Sequence, residues 1–297
     1  MSDPQHIPAP LEGRTIRQPV IGPFHDICSG ADVSFPKPGE LIEIHGHANL
    51  TMQDRRTLNL LIVNAWPQIT EDIEHRIHKA QLTGTHESTD RLTETMARLR
   101  TVSVTLRGRR NGKSGTWEDN FLGPTFREDD PDGFLHYRFS QTVREIIRES
   151  DHWARLQAQV MFALSSKYAQ ALYEMLCKRA GLTSKFSETF SLEDIRAFLG
   201  VPTKKLSRFP DLRRYCLQPA VDEVNALSAV YCRFDPIKEG RAVTKVKMTW
   251  FPKDEAGLML AYKELERHRS GRKTRMSGKI EPIAIVHDEG LQDDIGM

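Results

Sequence analysis

Between residues 185 and 250 the chain strings together four parts. They are a short helix pattern, a basic turn, a longer helix pattern with arginines in its first turn, and an alternating hairpin with a basic loop. Few folds use those parts in that order. A winged helix-turn-helix does: one helix supports, a second enters the major groove of DNA, and a two-stranded wing reaches the flanking backbone. The segment therefore points to nucleic acid rather than to a metabolite. Ser191, with Glu193 and Asp194 behind it, opens a short helix whose apolar residues are Leu192, Ile195, Phe198 and Leu199, and Gly200 with Pro202 closes it. The turn carries Lys204, Lys205 and Arg208. Asp211 is expected to open the next helix, where Leu212, Cys216, Ala220, Val224 and Leu227 form a core stripe and leave Arg213, Arg214 and Gln218 outside. Pro219 lies inside this pattern and predicts a bend or local break, because it lacks a backbone donor and crowds the carbonyl of Tyr215. The hairpin alternates over 230–234, turns at Pro236 and Glu239-Gly240, and returns over 242–250, with Arg241, Lys245 and Lys247 assigned to the returning strand.

Charge is distributed to match. The chain of 297 residues has a formal net charge of only +2. Residues 1–150 carry 18 Lys and Arg against 21 Asp and Glu, a net of −3, whereas residues 201–250 carry 10 against 5, a net of +5. A second basic run, 263–279, holds 7 basic against 2 acidic residues, and 280–297 holds 5 acids and no Lys or Arg. Basic clustering supplies sequence-independent affinity for nucleic acid through phosphate contacts and counterion release. A hydrophobic fraction of 39% over this length supports about two domains. No apolar run approaches the ~18 residues of a membrane span, and residues 1–19 lack a signal-like apolar core, so a soluble, cytoplasmic protein without membrane contact is expected. Cys28, Cys177, Cys216 and Cys232 form no C-x-x-C pair and are read as reduced core thiols; no cofactor is implied.

The first half has its own helices and hairpin. Seven prolines between Pro4 and Pro38 suit an extended arm, 1–38, with a first domain over 39–152, a second over 153–269 and a flexible tail over 270–297. A short strand is expected over 41–44. Thr51 then caps a helix in which Leu58, Leu61, Ile62 and Ala65 make one apolar face, and Pro67 stops it. Further helices are predicted over 70–79 and, capped by Ser88, through Leu92, Met96 and Leu99. Val102, Val104 and Leu106 then alternate with Thr101, Ser103 and Thr105, and a turn over 107–116 containing Asn111-Gly112 carries Arg109, Arg110 and Lys113 with no acid. Residues 117–122 form the partner strand, 134–139 a further strand and 141–149 a helix. The second half repeats the plan: Ser165 and Ser166 lead into a helix with Tyr168, Leu172, Met175 and Leu176, closed at Gly181 by a left-handed cap. A last helix over 254–269 should turn Leu258, Tyr262 and Leu265 to one side. The fold class is therefore α+β, two tandem winged helix-turn-helix domains with small antiparallel hairpins as wings.

Five elements in order carry a family resemblance. They are Leu164-Ser165-Ser166-Lys167-Tyr168-Ala169 with Leu172-Tyr173-Glu174, the helix over 191–200, the segment 209–225 with Pro219-Ala220 and Glu223-Val224-Asn225, and the Gly240-Arg241 wing. Together they resemble iteron-binding plasmid replication initiator proteins. The resemblance implies binding of repeated duplex sites at an origin, help in opening it, and recruitment of the host initiator and replicative helicase. It also implies repression of the chain's own promoter and a homodimer in equilibrium with monomer, the first domain making the dimer contacts. On this chain it assigns base reading to Arg213 and Arg214, with Gln218 beside them, because arginine pairs bidentately with guanine. Lys204, Lys205 and Arg208 are assigned to phosphates at the helix entrance, Arg241, Lys245 and Lys247 to the wing, and Arg109, Arg110 and Lys113 to phosphate contacts of the first domain.

Enzyme readings are weaker. His45-Gly46-His47 has glycine where the paired histidines of metal-dependent nicking endonucleases flank a bulky apolar residue. His75 and His78 lie three apart on the expected helix without a companion acid. Glu128, Asp129, Asp130 and Asp132 stand beside Pro131 and Gly133 and read as a loop, and no phosphate-binding G-x-x-x-x-G-K-[ST] is present. A non-enzymatic initiator is the expectation, with a plain repressor as the alternative and a nicking endonuclease as a remoter one.

Overall fold

The computed structural model describes residues 34–82, 89–130, 132–150, 152–180 and 185–276. Most of the amino-terminal arm, Cys28, the Ser88 and Gly181 caps, Pro131 and residues 277–297 lie outside the described residues. Ser34–Pro38, read from sequence as part of the arm, is strand β1. It pairs antiparallel with a later strand, Ser34 opposite Gln157 and Pro38 opposite Trp153. Pro36 and Pro38 are tolerated because this ribbon has two strands only, so each strand keeps an unpaired edge. Gly39–Leu41 follows as a 3-10 turn where a strand over 41–44 was expected, although Leu41, Ile42 and Ile44 are buried as a core segment would be. Helix α1, Met52–Ala65, starts in a capping box: the Asp54 N–H donates to Thr51 Oγ1 at 3.2 Å and the Thr51 N–H to Asp54 Oδ2 at 2.7 Å. Its expected apolar face, Leu58, Leu61, Ile62 and Ala65, is buried.

The helix expected over 70–79 is instead strand β2, His75–His78, followed by a single helical turn, α2, Lys79–Leu82. Four residues alternating inward and outward suffice for a strand when a partner waits, and Ile77 pairs with Leu135. Helix α3, Thr89–Thr101, leads into β3, Val104–Arg110, and β4, Lys113–Asp119. The expected ten-residue turn is tighter than read: only Asn111 and Gly112 lie between the strands, at φ 52° and 75°. Two consecutive left-handed residues make the turn whose twist matches a hairpin, so both strands run on to its tip. Strands β5, Leu122–Arg127, and β6, Phe134–Phe139, complete a β2-β6-β5 sheet, and α4, Gln141–Glu149, is capped by Ser140.

Strand β7, Trp153–Gln157, and helix α5, Ala158–Ala163, fill a stretch for which the sequence suggested nothing, before α6, Lys167–Ala180. Strand β8, Ser187–Ser191, was also unforeseen. It precedes α7, Leu192–Leu199, capped by Ser191 and closed by Gly200 at φ 65° as expected. Helix α8 is wound from Phe209–Leu212, a π-turn over Arg213–Leu217, and Gln218–Leu227. It begins two residues earlier than Asp211, because Pro210 suits the first turn and Asp211 serves there as the acid favoured by the helix dipole. The local irregularity expected at Pro219 takes the form of the π-turn just ahead of it: the Gln218 N–H donates to the Arg213 carbonyl five residues back, and this wider turn admits the proline without ending the helix. Leu212, Cys216, Ala220, Val224 and Leu227 are all buried, as the stripe required, and Leu217 and Val221 join them after the π-turn shifts the phase.

Strands β9, Val230–Glu239, and β10, Ala242–Pro252, form a long hairpin that pairs with β8 in the order β8-β10-β9. Arg241 therefore sits in the turn beside Gly240 rather than on the returning strand, because β9 extends through Pro236 to Glu239. Helix α9, Glu255–Glu266, ends earlier than expected and turns Ala261 and Glu264 inward, while Tyr262 is exposed. A short helix α10, Arg272–Met276, occupies the start of the expected tail; it is held there by Arg272 and Arg275, which both pair with Glu264. No helix among the described residues is long and apolar enough to cross a membrane.

The two halves meet across α1 and α6 through buried charge. Glu174 of α6 accepts from Lys37 Nζ at 3.0 Å and from Asn59 Nδ2 at 2.8 Å, and lies 3.7 Å from Arg55. Lys37 also donates to Asn59 Oδ1 at 2.9 Å. Arg55 in turn bonds His47 Nδ1, and His47 Nε2 lies 2.9 Å from the Ala197 carbonyl of α7. A neutral ring satisfies both contacts: Nε2–H donates to the carbonyl and Nδ1 accepts from the guanidinium. Burial first, and then the Arg55 charge, push the His47 pKa down to about 2. Around this center Arg56 donates to the carbonyls of Phe162 and Leu164 at 3.0 and 2.6 Å, and Lys178 and Arg179 pair with Glu43 at 2.6 and 2.7 Å.

Removing one partner of a buried ion pair leaves the others uncompensated, at a cost of about 3 to 5 kcal/mol. Glu174→Gln should lose stability on that scale in urea unfolding; an unchanged midpoint would remove the network from any stabilising role. His47 gives a separate test. Its folded pKa lies below the ordinary value near 6.5, so its contribution is complete above about pH 6.5 and is lost as pH falls toward the folded value. His47→Gln should therefore show a flatter fall in unfolding free energy than the wild type between about pH 6.5 and 4.5, the difference approaching about 1.4 kcal/mol per pH unit. Parallel curves would mean that His47 is not held neutral.

Candidate nucleic-acid interface

Helix α8 presents its first two turns to solvent. Arg213, Arg214, Tyr215 and Gln218 are exposed, while Leu212, Cys216 and Leu217 anchor the opposite side. The Arg213 guanidinium lies 6.0 Å from the center of the Phe234 ring on β9, which brings the helix beside the wing. The Arg214 guanidinium lies over Tyr215 at 5.3 Å. Gln218 Nε2 donates to Asp222 Oδ1 at 2.8 Å.

The turn before α8 is braced from α7. Arg196 donates to the carbonyls of Lys205 and Ser207 at 3.0 Å each and also to that of Leu206. These bonds hold a segment in which Lys204 and Leu206 adopt left-handed backbone, φ 70° and 50°. Lys204 and Lys205 are exposed, with no ion pair among the described residues. Arg208 is already engaged: it forks onto Asp211 at 2.8 and 3.3 Å, which holds its guanidinium above the ordinary range. Such exposed pairs are weak because water screens them, so a phosphate can compete for the arginine.

On the wing, Arg241 is at the turn and Lys247 is exposed on β10. Lys245 pairs with Glu239 at 3.1 Å, and a bulge between Val243 and Lys245 separates its register from the tip. Lys238, which the sequence reading passed over, adds an exposed cation on β9. The β3-β4 hairpin carries Arg109, Arg110 and Lys113 at its tip, and Arg107, also passed over, is exposed on the same strand. Arg110 lies over Trp117 at 5.2 Å and 3.6 Å from Glu145. The sequence named the basic residues but missed Tyr215 and the bracing role of Arg196. An aromatic next to two arginines was a readable signal, whereas nothing in a short helix marks one arginine as a brace.

The histidine pairs are structural in placement. His47 is buried in the contact between the halves, and His45 forms an isolated bridge with Thr105 and lies 5.9 Å from Phe198. His75 and His78 belong to a strand and not to a helix, so three-residue spacing sends them to opposite faces. Glu128 accepts from His136 at 3.0 Å and from the Phe134 N–H at 2.8 Å. No group of three His, Cys, Asp or Glu side chains among the described residues has the grouping of a metal site. Cys177, Cys216 and Cys232 are free, and burial pushes each thiol up to about 12.

Two helix-and-hairpin domains in tandem, the second with a braced helix and basic wing, define the tandem winged-helix class of DNA-binding protein. The chain matches the family model "Initiator Replication protein, WH1" over residues 37–177 and "Initiator Rep protein, WH2" over residues 191–250, together more than half its length. It belongs to the initiator Rep protein family. Among solved structures it is similar to one described as "Crystal structure of Pi initiator protein in complex with iteron DNA", at 20% identity and a TM-score of 0.56, covering 75% of this chain and 98% of that one. No curated protein matches.

On a specific duplex, Arg214→Ala should relax preference at one base position by about 1 to 3 kcal/mol. Lys205→Ala should weaken all sequences alike and lower the salt slope by about one. Salt titrations over a panel of site variants read both, and identical behaviour of the two substitutions would overturn the division of roles.

Proposed function

We propose that this protein binds iteron repeats at a plasmid origin as a sequence-specific duplex-binding protein and helps to open the A·T-rich DNA beside them. The observation that carries this reading is the exposed first half of α8, with Arg213 and Arg214 outward, flanked by a braced lysine turn and a basic wing. Arginine forks read guanine edges, while lysines and the wing fix the helix in its groove. Membership of the initiator family and likeness to an initiator solved with iteron DNA support the same reading. Arg109, Arg110 and Lys113 would add phosphate contacts from the first domain.

The mechanism is binding with deformation. Bending stored at each repeat lowers the cost of unstacking a neighbouring flexible segment. No step requires bond chemistry from the protein, and we assign it no catalytic residue, metal or cofactor. Repression of its own promoter, a homodimer in balance with monomer through the first domain, and contact with the host initiator and replicative helicase belong to the same proposal.

Protection mapping on DNA around the coding region should reveal repeated footprints, and adding the protein should make thymines beside them reactive to permanganate. Footprints without reactive thymines or helicase loading would favour a repressor. A covalent tyrosine-DNA adduct formed with metal would favour a nicking enzyme.

A further inference from the structure

The large apolar side chains exposed among the described residues are Phe126, Phe186, Tyr215, Tyr231, Ile237, Phe251, Met259, Leu260 and Tyr262, and Tyr215 alone of these lies on α8. It is 56% exposed, on the side where the helix is otherwise polar. Scattered exposed aromatics need no explanation in general. This one has a specific placement: it follows Arg213 and Arg214, within the π-turn that precedes Gln218. The Arg214 guanidinium lies over its ring at 5.3 Å.

Two consequences follow from that geometry. A guanidinium resting on an aromatic face loses freedom, so its fork arrives at a base edge already oriented. The ring itself offers an apolar surface to the groove. In the major groove the one apolar feature on any base edge is the 5-methyl group of thymine. Phe234 treats Arg213 differently, at 6.0 Å from a strand outside the helix, so Arg213 is not locked to a neighbour that enters the groove with it.

We infer that Tyr215 is a specificity-determining residue that packs on a thymine 5-methyl group while its ring orients Arg214 toward an adjacent guanine, so that the two side chains read one G-T step. This rests on the duplex-binding reading above and refines it. It adds an apolar base contact to a helix otherwise assigned only polar ones.

The test uses the full chain and a duplex carrying the repeat found by protection mapping, with each thymine replaced in turn by deoxyuridine, which lacks only the methyl group. Burying one methyl is worth about 4-fold in affinity, so a single replacement beside a guanine should weaken wild-type binding by about that factor. Tyr215→Ala should bind the thymine and deoxyuridine duplexes equally, and Tyr215→Phe should keep the difference. In Tyr215→Ala, preference for the adjacent guanine should also fall, because Arg214 has lost its platform. Circular dichroism would check that the variants fold, and the wild-type scan alone remains decisive if alanine disturbs the helix. A flat deoxyuridine scan of the wild type, or a penalty that survives in Tyr215→Ala, overturns the assignment while leaving origin binding intact. Absence of any sequence-specific footprint instead overturns the initiator reading, and this inference falls with it.

Discussion

Glu174 accepts from Lys37 and Asn59 at 3.0 and 2.8 Å and faces Arg55 at 3.7 Å, where strand β1, helix α1 and helix α6 converge. Each charge is buried, and each is tolerable only because the others are present. These directional bonds tie α1, α6 and β1 together through one carboxylate. From Arg55 the network continues through His47 to the Ala197 carbonyl, so it reaches α7, the support helix of the second domain. Gly200 at the end of α7 leaves room for this contact: a Cβ there would meet the His47 ring at 2.9 Å. The placement of α7 against the first half of the chain thus depends on His47 and Arg55.

The candidate interface on α8 contains a second device, the π-turn. The wider turn carries the helix on through Pro219, and Cys216 and Leu217 are both buried on its inner side. The exposed side keeps Arg213, Arg214, Tyr215 and Gln218. Arg196 then fixes the turn ahead of the helix by its three carbonyl contacts, which keeps Lys204 and Lys205 at the entrance. A helix start braced in this way, with exposed cations beside it, fits the proposed division between phosphate positioning and base reading.

Much of this was legible in residue order because it is local chemistry. Thr51 and Ser191 cap helices wherever they stand, and Asn111-Gly112 and Gly240 turn a hairpin by their own backbone preferences. The stripe from Leu212 to Leu227 needed only helical spacing, and the run of basic residues needed only counting. The same locality produced the errors. Residues 70–79 lack any signal for a partner strand, so β2 is hidden until β6 lies beside it.

The sequence by itself determined two helix-and-hairpin units, the side of α8 that is buried, and the basic residues available to meet DNA. Only the tertiary structure decided that Ser34–Pro38 pairs with Trp153–Gln157, that β8 joins the wing sheet, and that Lys37, Arg55, His47 and Glu174 are interior. It also decided which cations are already engaged, such as Arg208 with Asp211 and Lys245 with Glu239, and which, such as Lys204 and Lys205, have no ion pair among the described residues. The physical reason is the same throughout. Caps, turns and helical stripes are set by neighbours a few residues away, whereas the pairing of β1, β2 and β8 and the burial of Glu174 are set by partners from about fifty to more than a hundred residues distant.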